Sequence, residues 1–142
     1  MSTRSLQIVW FKRDLRVIDH GALAEAARRG PVLPLYVVEP EYWAQPDAAE
    51  RHWAFIAECL SDLRHDLMDL GQPLVIRIGD MLDVLPDLHH RHAVAGLWSH
   101  EETGNDWTYA RDRRVALWCR EQGIDWTELP QNGVIRRFSD RN

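Results

Sequence analysis

A three-layer, doubly wound α/β domain around a five-stranded parallel sheet is the fold class this sequence predicts, on three observations. Five short apolar runs rich in β-branched residues alternate with longer amphipathic ones, as in a parallel sheet built from right-handed crossovers. The first three runs are almost continuously apolar, as expected of strands covered on both faces. The 142 residues, 45% hydrophobic and 27% charged, suffice for one core and are too few for two full domains.

The expected strands are Gln7–Phe11, Val32–Val38, Leu74–Ile78, Gly96–Ser99 and Asp125–Leu129. A first helix runs from Asp19 to Arg29 and stops at Gly30 and Pro31. The second is the clearest. Asp47 and Glu50 form a capping box, and Trp53, Ile56, Leu60, Leu63 and Leu67 recur at helical spacing as a core face before Gly71 ends it. A third starts at Met81 with Pro86 inside it, which leaves two readings open: a turn before a short helix opening at Pro86, or a kinked helix. A fourth spans Asp106 to Gln122, with Gly123 after it. Residues 131–142 are polar, basic and aperiodic. They read as the start of a linker, so the domain is expected to occupy residues 1–130.

Composition narrows the function. A net charge of −5 and a pI near 5.8 argue against a general polyanion binder, whose affinity comes from neutralising phosphates. Cys59 and Cys119 lie on separate helices without Cys or His at metal-ligand spacing, and read as reduced thiols. The first apolar run is strand-length and leads into Lys12, Arg13 and Asp14, unlike a signal peptide. No stretch reaches the roughly 20 apolar residues of a membrane helix. A cytoplasmic protein without membrane contact is expected.

In open parallel sheets, ligands sit outside the carboxyl ends of the strands. The candidates there are Lys12, Arg13, Asp14 and Arg16 after the first strand, and Glu39 and Pro40 after the second. Gly79 and Asp80 follow the third strand, His100, Glu101 and Glu102 the fourth, and Gln131 the fifth. A classical dinucleotide site needs a glycine-rich first turn, but no glycine precedes Gly21. No GxxxxGK string occurs, and Lys12 is the only lysine, which leaves a phosphorylation receiver without its fifth-strand lysine. The stretch WFKRDLR admits two readings: a solvated loop in which Asp14 bridges an arginine, or a ligand-binding or interdomain loop whose arginines fork an anion. His89, His90 and His92 lack the pairing of a helical metal site and read as a solvated face. Trp53 and Trp118 read as core.

The stretch Val9–Leu23, VWFKRDLRVIDHGAL, resembles the opening of DNA photolyases and cryptochromes, WFRxDLRxxDNxAL, with His20 where asparagine is usual. VLPLYVVEP at Val32–Pro40 resembles the family's second strand. YARDRRV at Tyr109–Val115 resembles its fourth-helix signature, carried by Arg111 and Asp112. The resemblance implies a Rossmann-like N-terminal domain that holds a light-harvesting antenna chromophore, a folate, a deazaflavin or a flavin. In the family, excitation passes from it to FAD in a helical C-terminal domain. That FAD domain drives repair of damaged DNA in photolyases and signalling in cryptochromes, and this chain shows no counterpart of it, so catalysis is not expected from the chain alone. By position, Arg13, Glu39 and Glu101 match places lining the antenna pocket, and Trp107 is the candidate for stacking on a pigment. Lys12, Asp14, Arg16, Arg111 and Asp112 belong to the motifs or to the interdomain face. EETGNDWT is longer than in deazaflavin-binding members, Ser99 replaces a common asparagine, and Trp107 and Thr108 fall where folate-binding members carry Asn-Glu. Two other readings stand beside this one: a nucleotide-binding or interaction module that works without light, and a domain that binds nothing and presents WFKRDLR to its neighbour.

Overall fold

The computed structural model describes residues 5–46, 53–102 and 104–130. The elements run β1 (Leu6–Phe11), α1 (Gly21–Arg29), β2 (Val32–Val38), α2 (Pro40–Trp43), α3 (Trp53–Asp69), β3 (Val75–Ile78), α4 (Met81–His92), β4 (Val94–His100), α5 (Asp106–Gln122) and β5 (Asp125–Leu129). All sheet pairings are parallel, in the order β3-β2-β1-β4-β5. The chain starts in the centre, winds out to β3, then returns to β4. The strand order therefore reverses between β1 and β4.

Two cores explain the three layers. Ile8 and Trp10 of β1 face α4 and α5, packing with Met81, Leu85, Leu88, Val115 and Cys119. Val9 and Phe11 point the other way, onto α1 and α3, among Ala22, Ala26, Leu60, Leu63 and Leu67. Strand alternation sends successive residues to opposite faces, and because both faces are covered the central strands read as unbroken apolar runs.

The helix starts correct several expectations. Asp19 has φ 55, a left-handed conformation outside any helix, so α1 begins at Gly21. His20 is its cap, with Nδ1 accepting the Leu23 N–H at 3.0 Å. Helix α4 runs through Pro86 as one element. Asp80 caps it, accepting the Leu82 N–H at 2.7 Å, and the proline removes a single helical donor. Helix α5 opens on a reciprocal capping box between Asn105 and Thr108. The Asp47–Glu50 capping box and the linker 131–142 lie outside the described residues. Trp53 is not core: it is 45% exposed in the first turn of α3, where its ring meets Trp43 rather than the buried Leu60, Leu63 and Leu67. Trp118 is partly buried against the α4–α5 core. Among the described residues, no helix is long and apolar enough to cross a membrane.

Candidate ligand pocket

At the carboxyl ends of β1 and β2 the chain leaves a cavity of about 410 Å³, within the usual range for small-molecule sites. Its floor is Trp10, Phe11 and Tyr36 at the strand ends, and its walls are Tyr42 and Trp43 of α2 with Phe55 of α3. Helix α2 is a single turn that Pro40 starts at its first position. It exists because PEYW follows Glu39 directly, and it swings two aromatic rings over the strand ends. Tyr42 and Trp43 meet edge to face at 5.4 Å, and Trp43 and Trp53 do so at 5.2 Å.

The polar side of the cavity is an ionic web centred on Arg111. Its guanidinium donates to Glu39 Oε1 at 2.7 Å, to Glu102, and to Asp112 Oδ1 at 3.0 Å. It also lies 4.8 Å from the Trp10 ring and 5.5 Å from Trp107, so two aromatic faces hold it. Lys12 Nζ stands 3.5 Å from Glu102, 3.4 Å from Asp112 and 3.7 Å from Glu128. Arg13 reaches Glu102 at 3.4 Å. Three cations (Lys12, Arg13, Arg111) thus face four carboxylates (Glu39, Glu102, Asp112, Glu128).

Glu39 carries the imbalance. Its side chain is 9% exposed, and Oε2 has no hydrogen-bond partner among the described residues. Burial pushes its carboxyl up to about 7, against the pull of Arg111 and with help from Glu102 and Asp112. Burial works against the Arg111 cation too, but Glu39, Asp112 and Glu102 outweigh it and hold its pKa above the ordinary value.

The rest of the β1 loop makes a second, separate cluster. Asp14 is buried. Oδ1 accepts the Lys12 N–H at 3.0 Å, and Oδ2 lies 2.7 Å from His100 Nδ1 and 2.6 Å from His20 Nε2, the latter poorly aligned for a hydrogen bond. Burial alone would raise the Asp14 pKa, yet the two histidines and the backbone donor hold it far below the carboxylate range. Burial also lowers the His20 pKa, more than Asp14 raises it. The three side chains are close enough to share a metal ion, but their hydrogen bonds do not fit one. His20 Nδ1 accepts from Leu23 N–H and His100 Nε2 from Ala22 N–H, which leaves the proton of each neutral ring on the nitrogen facing Asp14. Coordination there would move each ring proton to the outer nitrogen and cost both backbone hydrogen bonds. Asp14 is therefore neither solvated nor bridged to an arginine: it ties β1, α1 and β4 together.

The structure distributes the sequence candidates unevenly. Arg13 and Glu39 line the cavity, as do Lys12 and Arg111. Glu101 does not: its side chain is exposed on a neighbouring cleft with Tyr109 and Trp126, and Glu102 turns inward instead. Trp107 also lies outside the cavity and backs it, 5.8 Å from the Tyr42 ring. Arg16 donates to the carbonyls of Ile18 and Asp19 and shapes the loop. Asp112 bonds Arg111 and Lys12 from α5. Sequence reasoning missed Tyr42, Trp43 and Phe55, and it weighed Glu102 only as a strand-end residue while assigning the pocket to Glu101. The signal for the first two was the Pro40 helix start after a strand-end acid, and for Glu102 the Glu101–Glu102 doublet.

Fold and pocket together define a doubly wound α/β domain with a cavity of small-molecule size at its carboxyl edge. The DNA photolyase family model matches residues 7–137, and the chain belongs to that family. It is 31% identical to cryptochrome DASH of Oryza sativa subsp. japonica over 95% of this chain and 24% of that protein. To the deoxyribodipyrimidine photo-lyase of Halobacterium salinarum it is 34% identical over 70% of this chain and 22% of that protein. The chain therefore spans about a quarter of these curated relatives. Among solved structures, a Synechocystis cryptochrome superposes with a TM-score of 0.80 at 21% identity, over 92% of this chain and 28% of that one. An archaeal photolyase from Sulfolobus tokodaii, solved with two FAD molecules, superposes with a TM-score of 0.74 at 22% identity, over 88% of this chain and 29% of that one. These two likenesses show the fold. The family and the Rossmann-like architecture expected from WFKRDLR and the strand pattern both hold.

Proposed function

We propose that this chain is the light-harvesting domain of a photolyase-like flavoprotein, and that its cavity holds the antenna pigment. The observation that carries the reading is Glu39 Oε2, buried and unpartnered at the side of a cavity walled by Tyr42 and Trp43. Flavins, deazaflavins and folates share the matching features, a flat ring and an N–H on its edge. The aromatic walls would stack on the ring, Glu39 would accept the N–H, and the Arg111 web would hold Glu39 in place. Such a pigment supplies absorption of light and transfer of the excitation; the protein supplies rigid orientation. With the cations of the web already committed to carboxylates, a phosphate finds no ready fork at this corner.

In this reading the described domain is joined through residues 131–142 to a helical FAD domain, works in the cytoplasm, and meets damaged DNA only through that partner. The net charge of −5 supports leaving DNA contact to the other domain. Titrating the purified chain with riboflavin, 5-deazariboflavin and tetrahydrofolate, followed by absorbance and fluorescence, tests the pocket. Saturable binding weakened by Trp43→Ala supports it, and no binding of any of the three overturns it.

A further inference from the structure

We propose that Glu39 carries a proton in the ligand-free pocket and releases it when a heterocycle presents an N–H to Oε2, so that filling the pocket with a donor-edged ring is coupled to proton loss. The inference rests on the antenna reading and adds to it a rule of selection: the site distinguishes rings by the hydrogen-bonding character of their edge.

The geometry supports each part. Glu39 Oε1 is engaged at 2.7 Å, while Oε2 of the same buried side chain has no partner. Among the described residues the one cation in contact with Glu39, Arg111, is shared among three carboxylates. Charged and titratable groups near Glu39 come from several elements: Lys12 and Arg13 after β1, Tyr36 on β2, Tyr42 on α2, Glu102 after β4, and Arg111 and Asp112 on α5. Helix α3 contributes only Phe55 and Ile56 to the cavity lining. The two nearest carboxylates, Glu102 and Asp112, oppose ionisation of a fourth acid in a web with three cations, and burial opposes it further. Consistent with this, the Glu39 carboxyl is raised to about 7. An N–H arriving at Oε2 reverses the balance, because a donor stabilises the charged form. A ring that offers only an acceptor there would instead keep the proton on Glu39.

Calorimetric titration of the whole chain with riboflavin, 5-deazariboflavin and tetrahydrofolate, near pH 6 in two buffers of different ionisation enthalpy, counts the protons. The expected result is release of close to one proton by each ring that binds, with affinity rising up to about tenfold per pH unit below neutrality. Glu39→Gln keeps an acceptor but cannot ionise; it should bind without proton release and with flat pH dependence. Riboflavin methylated at N3 should bind more weakly and release none. Binding to the wild-type chain without buffer-dependent heat overturns the coupling and leaves the antenna reading standing. Proton release that persists in Glu39→Gln overturns the assignment to Glu39. Failure of all three rings to bind the folded chain overturns the antenna reading, and the coupling with it.

Discussion

Asp14 Oδ2 and His100 Nδ1 meet at 2.7 Å across 86 positions of sequence, closing the sheet at the point where strand order reverses. His20 completes the cluster, and its pKa is lowered from 6.5, chiefly by burial. A group depressed in the folded state contributes stability above its unfolded pKa and loses it as pH falls. The same sign holds for Asp14 at lower pH. Measured by urea denaturation, the stability of the wild-type chain relative to His20→Asn should therefore fall as pH drops below about 6.5. His20→Asn, which keeps a cap acceptor, should flatten that upper part of the profile and leave the acid limb.

Glu39 has the opposite sign. Its pKa is raised from 4.5 to about 7, so its contribution is fully present below 4.5 and is lost as pH rises through neutrality. Glu39→Gln should be close to neutral near pH 5 and stabilising by about 1–3 kcal/mol near pH 8. A variant that is equally destabilised at both pH values would contradict a carboxyl that burial and its acidic neighbours hold protonated below neutrality.

Arg111 joins three carboxylates and two tryptophan rings. Arg111→Met leaves those acids uncompensated and should cost about 3–5 kcal/mol in chemical denaturation. Arg111→Lys should recover only part of this, because an ammonium cannot make the fork or stack on Trp10. Changes in tryptophan emission would report the loss of the stacked guanidinium.

Gly96 sits on β4 where an added Cβ would run into Gln7 Oε1, the atom that accepts the Trp98 indole N–H at 2.7 Å. Gly96→Ala should destabilise by about 1–3 kcal/mol, as overpacking does. In a double-mutant cycle, Gln7→Ala should relieve much of that cost, a non-additivity measurable by thermal unfolding.

Trp43 lines the cavity and Trp107 stands behind it. Trp43→Ala should reduce pigment affinity by about tenfold or more, the scale of a lost aromatic stack. Trp107→Ala should have the smaller effect, because it acts through Tyr42 and Arg111. The ratio of the two dissociation constants is the measurement.

The sheet was legible because a strand covered on both faces writes its burial into consecutive residues: QIVWF and VLPLYVV admit little else. Helix ends were harder. The start of α1 depends on Asp19 adopting a left-handed conformation, which no periodicity announces. The pocket could be located only to its neighbourhood. Strand-end reasoning put Arg13 and Glu39 at the right edge, but that Glu102 rather than Glu101 turns inward depends on Lys12, Arg13 and Arg111 converging on it from distant segments. The Asp14–His20–His100 cluster was invisible for another reason. It depends on β4 returning beside β1, a pairing between distant segments that local sequence does not encode.

Lys12 is the only lysine in the chain, and its side chain is 3% exposed among carboxylates and the Trp10 ring. A lysine-specific endoprotease thus has one target bond, at the end of the central strand and shut away in the native fold. Cleavage there has to wait for Lys12 to leave its carboxylates and ring, so its rate at saturating protease becomes a clock for opening of the carboxyl end of the central strand.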